Sequence, residues 1–349
     1  MINLITKLLL WMRNGGLKLL IFAGVLLLVW GTFAPVGTVV WWLDRGADNL
    51  EIRTRKLYQR MNGDENDSNK TEAKHCYIVF LTGVGDTSAY QLSSGEAAFL
   101  DSLEEKQPQC LTVRDVFPYS AANQDIAGQK IFELLENFVE RADGWLESTK
   151  YLLQLRNVWR MAISADNRYG FIYNQAIALS IAEQMENQQP IPSSSEQPIQ
   201  LILMGTSGGV QVALAAAPYL DRWLPVDITI VSFGGVFDGN EGFNVAQHIY
   251  HLRGERDLIE NIGGIVFPSR WRWTIASPYN RARRQQRYTA DSSGNHQHEG
   301  DQGYFGKEIA QDDGKTYLEL TLEQTEKLPI WNHEPQSFQR KKVYLALKD

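Results

Sequence analysis

Short apolar runs alternate with segments of helical period along the chain from Cys76 onward. Runs at 77–81, 111–117, 201–204, 228–233 and 249–253 predict strands, with a weaker one near Tyr288. Ile131, Leu134, Leu135 and Phe138 mark a helix over 129–141, and Ile177, Ile181 and Met185 form one stripe of a helix over 174–185. Strands that alternate with helices predict a largely parallel sheet covered on both faces, because parallel neighbours need long crossovers. The fold class is therefore α/β. The stretch between the strands at 111–117 and 201–204 is longer than one crossover needs. Its middle, 143–164, carries Trp145, Tyr151, Leu152, Leu155, Val158, Trp159 and Met161. Two readings fit it: a lid over an apolar pocket, or an extra amphipathic helix packed on the domain.

A different pattern occupies the N-terminus. Residues 19–43 run for 25 positions without a charge, long enough to cross about 30 Å of hydrocarbon as one transmembrane helix. Lys7, Arg13 and Lys18 precede the run, and Trp30, Trp41 and Trp42 suit interfacial depth. A cleaved signal peptide is the alternative. Against it, the run exceeds the usual apolar region, and the small-residue site at Thr32 and Ala34 runs into Pro35. Arg45, Arg53, Arg55, Lys56 and Arg60 nearly balance the charge on the far side, so orientation is weakly specified, with the following domain expected on the non-cytoplasmic side. The expected organisation is an anchor segment over 1–43, a juxtamembrane helix and polar linker over 44–75, and a globular domain over 76–349. The linker contains two sequons, at Asn66 and Asn69, which matter only in a glycosylating compartment.

Composition narrows the partners. The formal net charge is -7, with no basic excess to hold nucleic acid. The bilayer is the expected partner of the N-terminal run. Cys76 and Cys110 are too few for a disulfide framework or a metal site. Both lie at the edges of predicted strands, where buried free thiols are expected and pairing requires an oxidising compartment.

The candidate chemistry centres on Gly205-Thr206-Ser207-Gly208-Gly209, between the run at 201–204 and an alanine-rich segment over 210–220. A strand that turns sharply into a helix with Ser at its apex is a nucleophile elbow, in which glycines permit strand and helix to approach closely. On this motif and the strand–helix order, residues 76–304 resemble the α/β-hydrolase superfamily. The resemblance implies a mostly parallel central sheet, a serine nucleophile, and an acid and a histidine following it in that order. No cofactor is implied.

Serine needs a base to take its proton and a carboxylate to orient that base. Asp257, after the strand at 249–253 in Arg253-Gly254-Glu255-Arg256-Asp257, matches the superfamily's acid loop, with Asp238 as the alternative. His298 lies in a Gly-rich polar loop after the last strand and matches the base, ahead of His333 and His296. His296 and His298 are spaced to share a metal, but no third ligand is apparent. The oxyanion hole is expected from the backbone N–H groups of Gly208 and of Val84, in Leu81-Thr82-Gly83-Val84-Gly85 after the first strand. That loop lacks the HGGG pattern and matches neither dinucleotide-binding nor Walker A sequences. Arg270-Trp271-Arg272-Trp273, followed by Arg281, Arg283, Arg284 and Arg287, reads either as a solvated charged face or as an interface for anionic headgroups. The expected activity is membrane-anchored serine hydrolysis of carboxylic esters, lipid esters among them, through an acyl-enzyme. The competing reading is a non-catalytic, membrane-tethered binding or assembly module of the same fold.

Overall fold

The computed structural model describes residues 52–57, 59, 74–85, 92–119, 146–168, 170–191, 198–310 and 314–331. The apolar run at 19–43, the polar linker with its sequons, the helix predicted over 129–141 and His333 lie outside the described residues. Among the described residues no helix is long and apolar enough to cross a membrane.

Six strands form one all-parallel sheet: β1 (Cys76–Leu81), β2 (Cys110–Val113), β3 (Ile199–Thr206), β4 (Val226–Phe233), β5 (His248–Gly254) and β6 (Tyr288–Gly294). Their order is β2-β1-β3-β4-β5-β6. The central strands read as continuous apolar runs because both of their faces are covered; every residue of β1 is buried. The edges differ. β2 stops at Val113, short of the predicted end at Phe117, because its pairing with β1 ends at Val79–Val113. Beyond that point Arg114 turns out to bind Asp101 and Glu104, and Pro118 bars further ladder donation. The polar edge strand β6 carries few apolar residues, which explains its weak signal in the sequence.

One face of the sheet packs against α1 (Ser94–Lys106) and α8 (Tyr317–Glu326). Cys76, Ile78 and Phe80 of β1, Ile202 and Met204 of β3, and Val231 and Phe233 of β4 point to this side with period two, and meet Phe99, Leu100 and Leu103 of α1. Both helices start with a full capping box, Ser93 with Glu96 and Thr316 with Glu319. The other helices are α2 (Leu146–Ala165), α3 (Gly170–Gln188), α4 (Gly209–Trp223), α5 (Gly242–Val245), α6 (Glu260–Val266) and α7 (Pro278–Arg284). The segment read as lid or extra helix is the single helix α2, packed on α3 and α4. Residues 53–57 are helical, and Arg53 pairs with Glu183 of α3.

The expectation of free thiols is corrected. Cys76 and Cys110 are register partners on adjacent strands, 4.4 Å apart at Cα, and form a disulfide. Alternation in sequence could place both at strand edges but could not show that the two strands are neighbours.

The strand order also locates a crevice. The chain leaves β1 toward β2 on one side and continues from β3 toward β4 on the other. The loops at the carboxyl ends of β1 and β3 therefore diverge, and a ligand-sized gap opens between them.

Candidate active site

Ser207 occupies that gap, at the tip of β3. Its φ of 50° is one of only two positive values among the described non-glycine residues, a conformation that costs about 1–3 kcal/mol and needs surrounding support. Support comes from the Ser207 N–H, which donates to Phe233 O at 3.1 Å, and from its carbonyl, which accepts from Val210 N and Val236 N. Two glycines allow the turn. A Cβ at Gly205 would lie 3.0 Å from Val210 N, and one at Gly209 would run into the carbonyl oxygens of Leu81 and Thr82.

His298 Nε2 lies 2.9 Å from Ser207 Oγ, and His298 Nδ1 lies 2.9 and 2.8 Å from the two Asp257 carboxylate oxygens. With Nδ1 as the donor to the carboxylate, Nε2 is left as an acceptor for the serine proton. The Asp257 side chain is fully buried and that of His298 almost so. Burial pushes the Asp257 carboxyl up, but hydrogen bonding and charge attraction from His298 outweigh it, helped by Tyr304 and the Glu260 amide. The net effect holds Asp257 below its ordinary range.

Sequence reasoning assigned no role to Tyr304. Its hydroxyl donates to Asp257 Oδ2 at 2.8 Å and accepts from Gly254 N at 2.7 Å. Burial beside the Asp257 carboxylate pushes the phenol up, which keeps it a donor at any working pH. The Ile259 and Glu260 amides hold Asp257 Oδ1 at 2.9 and 3.3 Å. The only hint in the sequence was Tyr304's place in the same Gly-rich loop as His298.

The other candidates do not join this constellation. Asp238 accepts from the Asn240 amide and side chain in its own loop, and burial raises its carboxyl to about 6. His296 is fully buried, its Nε2 lies 2.8 Å from Ser293 O, and its ring stacks on Tyr304 at 5.1 Å. It braces the tyrosine rather than reaching the serine. Burial pulls its imidazole below the ordinary range. Among the described residues no group of three or more His, Cys, Asp or Glu could hold a metal.

A second serine–histidine–acid chain lies close by. Ser232 Oγ is 2.8 Å from His251 Nδ1, and His251 Nε2 is 3.1 Å from Glu260 Oε2. All three residues are buried. His251 and Glu260 line a cavity of about 640 Å3, but Ser232 is fully buried inside β4 and is not among the residues that line it, so its hydroxyl is not presented to a substrate.

The expected oxyanion donors adjoin Ser207. A Cβ at Gly208 would press on the Val84 side chain at 2.6 Å, and one at Gly83 would lie 3.1 Å from Ser207 Cβ. Asn157 Nδ2 of α2 donates to Val84 O at 3.2 Å, and Gln154 Nε2 reaches Gly85 O at 3.4 Å. Helix α2 thus pins the loop that carries Val84.

Ser207 borders two clefts. One, about 510 Å3, is apolar and is walled by Val158, Met161 and Ala162 of α2 and by Ile262 and Val266 of α6, with Val84 and Gly208 at its base. The other, about 360 Å3, is the more polar of the two, borders His298, and is lined by Ser93, Ser94, Glu299, Asp301 and Lys307 among others.

No family model matches the chain, and no curated protein matches it by sequence. Solved structures similar to it include a dienelactone hydrolase-like promiscuous phosphotriesterase from metagenomic libraries. That structure is 14% identical at a TM-score of 0.34, with 66% of this chain and 74% of that one covered. A protein titled m3DLH is 15% identical at a TM-score of 0.37, covering 74% of this chain and 85% of that one. Similarity at this level carries no inference about chemistry. The domain is α/β with an all-parallel six-stranded sheet, and a strained serine at its switch point is followed along the chain by the acid and the histidine that it meets in space.

Proposed function

We propose that this protein is a serine hydrolase that cleaves carboxylic esters through an acyl-enzyme. The observation that carries the reading is the unbroken hydrogen-bonded chain from Ser207 Oγ through His298 to Asp257, at the mouth of two clefts. As Ser207 Oγ attacks the ester carbonyl, its proton passes to His298 Nε2. The tetrahedral oxyanion accepts from the Gly208 and Val84 N–H groups. Collapse breaks the bond to the leaving alcohol, which takes the proton back from His298. Water, deprotonated by the same nitrogen, then attacks the acyl-enzyme and releases the acid. Ser207 is regenerated.

The clefts orient the substrate. The leaving alcohol must lie on the side of the proton donor, and His298 borders the polar cleft alone of the two. The apolar cleft, at whose base Val84 and Gly208 lie, therefore takes the acyl chain. An ester with an extended apolar acyl group and a polar alcohol fits both, which favours lipid-derived esters. Anchoring by residues 19–43 and a non-cytoplasmic location belong to the same proposal. The Cys76–Cys110 disulfide supports them, because such bonds persist in oxidising compartments.

Fluorophosphonate labelling of wild type, Ser207→Ala and His298→Ala tests the reading. Labelling of the folded wild type that is lost in both variants is expected. Absence of label on the wild type, in detergent as well as in membranes, would instead leave a hydrolase-shaped module without turnover.

A further inference from the structure

Residues 258–287 are strongly basic in an otherwise acidic chain. Arg270, Arg272, Arg281, Arg283, Arg284 and Arg287 face a single acid, Glu260, where the whole carries -7. Glu260 is already held by His251 and Arg253. Arg270, Arg272 and Arg283 line a cavity of about 640 Å3 behind α6, together with Trp271 and Trp273. Among the described residues none of these three arginines has a carboxylate partner. The Arg270 guanidinium lies over the Phe237 ring at 4.3 Å and the Tyr279 ring at 5.2 Å, while its buried Nε has no hydrogen-bond partner. Three guanidinium groups line one cavity without a carboxylate partner of their own, the cavity's Glu260 being held by His251 and Arg253, and so offer a site for an anion.

The same segment leaves large apolar side chains in water. Leu258 is 78% exposed, Ile265 71%, Trp273 74% and Ile275 68%, with Ile262 and Val266 beside them on α6. Trp271 Nε1 donates to Ile265 O at 3.1 Å and packs on Trp273 at 5.0 Å between ring centres, so the aromatic pair and α6 are tied together. A free phosphate would satisfy the arginines and leave this apolar fringe unexplained. A layer with anionic headgroups above hydrocarbon satisfies both, since arginine pairs with the headgroup phosphate while indole and aliphatic side chains enter below it.

We propose that this face docks on an anionic phospholipid surface, with Arg270, Arg272 and Arg283 taking headgroup phosphate and Ile265, Trp273 and Ile275 entering the acyl layer. A consequence follows that rests on the ester-hydrolase reading, although docking itself does not. Ile262 and Val266 wall the apolar cleft beside Ser207, so docking turns the mouth of the acyl site toward the lipid that would supply its substrate.

The test uses the full chain carrying Ile265→Cys labelled with an environment-sensitive fluorophore. The protein's described cysteines are paired, so the introduced thiol is the labelling site. A Glu105→Cys probe on α1 serves as the control. The protein is reconstituted with phosphatidylcholine vesicles, with or without phosphatidylglycerol. A blue shift at position 265, absent at 105 and confined to anionic vesicles, is expected. Arg272→Ala with Arg283→Ala should lower the docked-to-undocked ratio roughly 30-fold, with melting temperature monitored to establish folding. A shift equal in neutral vesicles, one retained in the double variant, or no shift would overturn the proposal. So would loss of the shift in millimolar inorganic phosphate but not in chloride of equal ionic strength, which would make the occupant a soluble anion. The readout needs no turnover, so failure of docking and failure of the Ser207 chemistry are separable.

Discussion

Replacing Tyr304 by Phe removes one oxygen from the supports of Asp257 while leaving the ring that stacks on His296. Two bonds disappear: the one donated to Asp257 Oδ2 at 2.8 Å and the one accepted from Gly254 N at 2.7 Å. A hydrogen bond to a charged group contributes about 1.5–3 kcal/mol, and an orphaned buried N–H costs on the order of 1 kcal/mol more. The expected loss of stability is therefore about 2.5–4 kcal/mol, which for a domain of this size lowers Tm by roughly 5–10 °C. Activity should suffer less than in Asp257→Asn. Asp257 keeps His298 and the Ile259 and Glu260 amides, so the imidazole stays oriented and kcat/KM falls only about 10-fold. Asp257→Asn, which spoils the tautomer of the base, should cost about 10⁴-fold.

The pH dependence carries a sign. Asp257 is held below its ordinary range, so its contribution to stability is present above the unfolded value and lost as pH falls through the folded one. Tyr304→Phe withdraws one lowering influence, moves that loss to higher pH, and makes the gap to wild type widest near neutrality and narrower in acid. Calorimetry across pH 3–7 and steady-state kinetics on a soluble chromogenic ester measure both effects. An unchanged Tm together with unchanged kcat/KM would refute the assignment of Tyr304 as a support, as would a loss as large as that of Asp257→Asn.

Other outcomes follow from the same geometry. Ala162→Trp should fill the apolar cleft and reduce kcat/KM for an octanoyl ester by roughly 10–100-fold while sparing an acetyl ester; equal losses on both would contradict its assignment to the acyl chain. Asp238, raised to about 6 by burial, favours the fold while protonated and destabilises it as pH rises from the ordinary carboxylate value through 6. Asp238→Asn should remove at most about 3 kcal/mol of that decline, read as the difference between wild-type and variant unfolding free energies at pH 4 and 7. The disulfide closes a loop with a sequence separation of 34, so Cys76→Ser with Cys110→Ser should cost about 4 kcal/mol by the chain-entropy estimate. A double variant as stable in urea as the oxidised protein would refute that figure.

Local pattern determined much of this protein. Apolar runs marked five strands and left β6 only weakly signalled, because a strand buried on both faces writes its burial into adjacent residues and the polar edge strand does not. The elbow was legible for a similar reason: a close strand–helix crossing favours glycine at Gly205 and demands it at Gly209, and that demand is local. Chain order within the superfamily resemblance then selected Asp257 and His298, which the fold brings together with Ser207. What the tertiary structure alone decided concerns residues far apart in the chain. Whether Cys76 faces Cys110 depends on which strands are neighbours, and strand order has no signature in either strand. Helix α8 and its capping box went unread because Leu318, Leu320 and Leu322 alternate with period two rather than at helical spacing, and the helix is held by packing on α1 and β6. Tyr304 and Asn157 acquire meaning only once Asp257 and Val84 stand opposite them. Nor could residue types separate Ser207–His298–Asp257 from Ser232–His251–Glu260. A serine that borders a cleft and a strained backbone at that serine distinguish the first from the second, and both are properties of the folded chain.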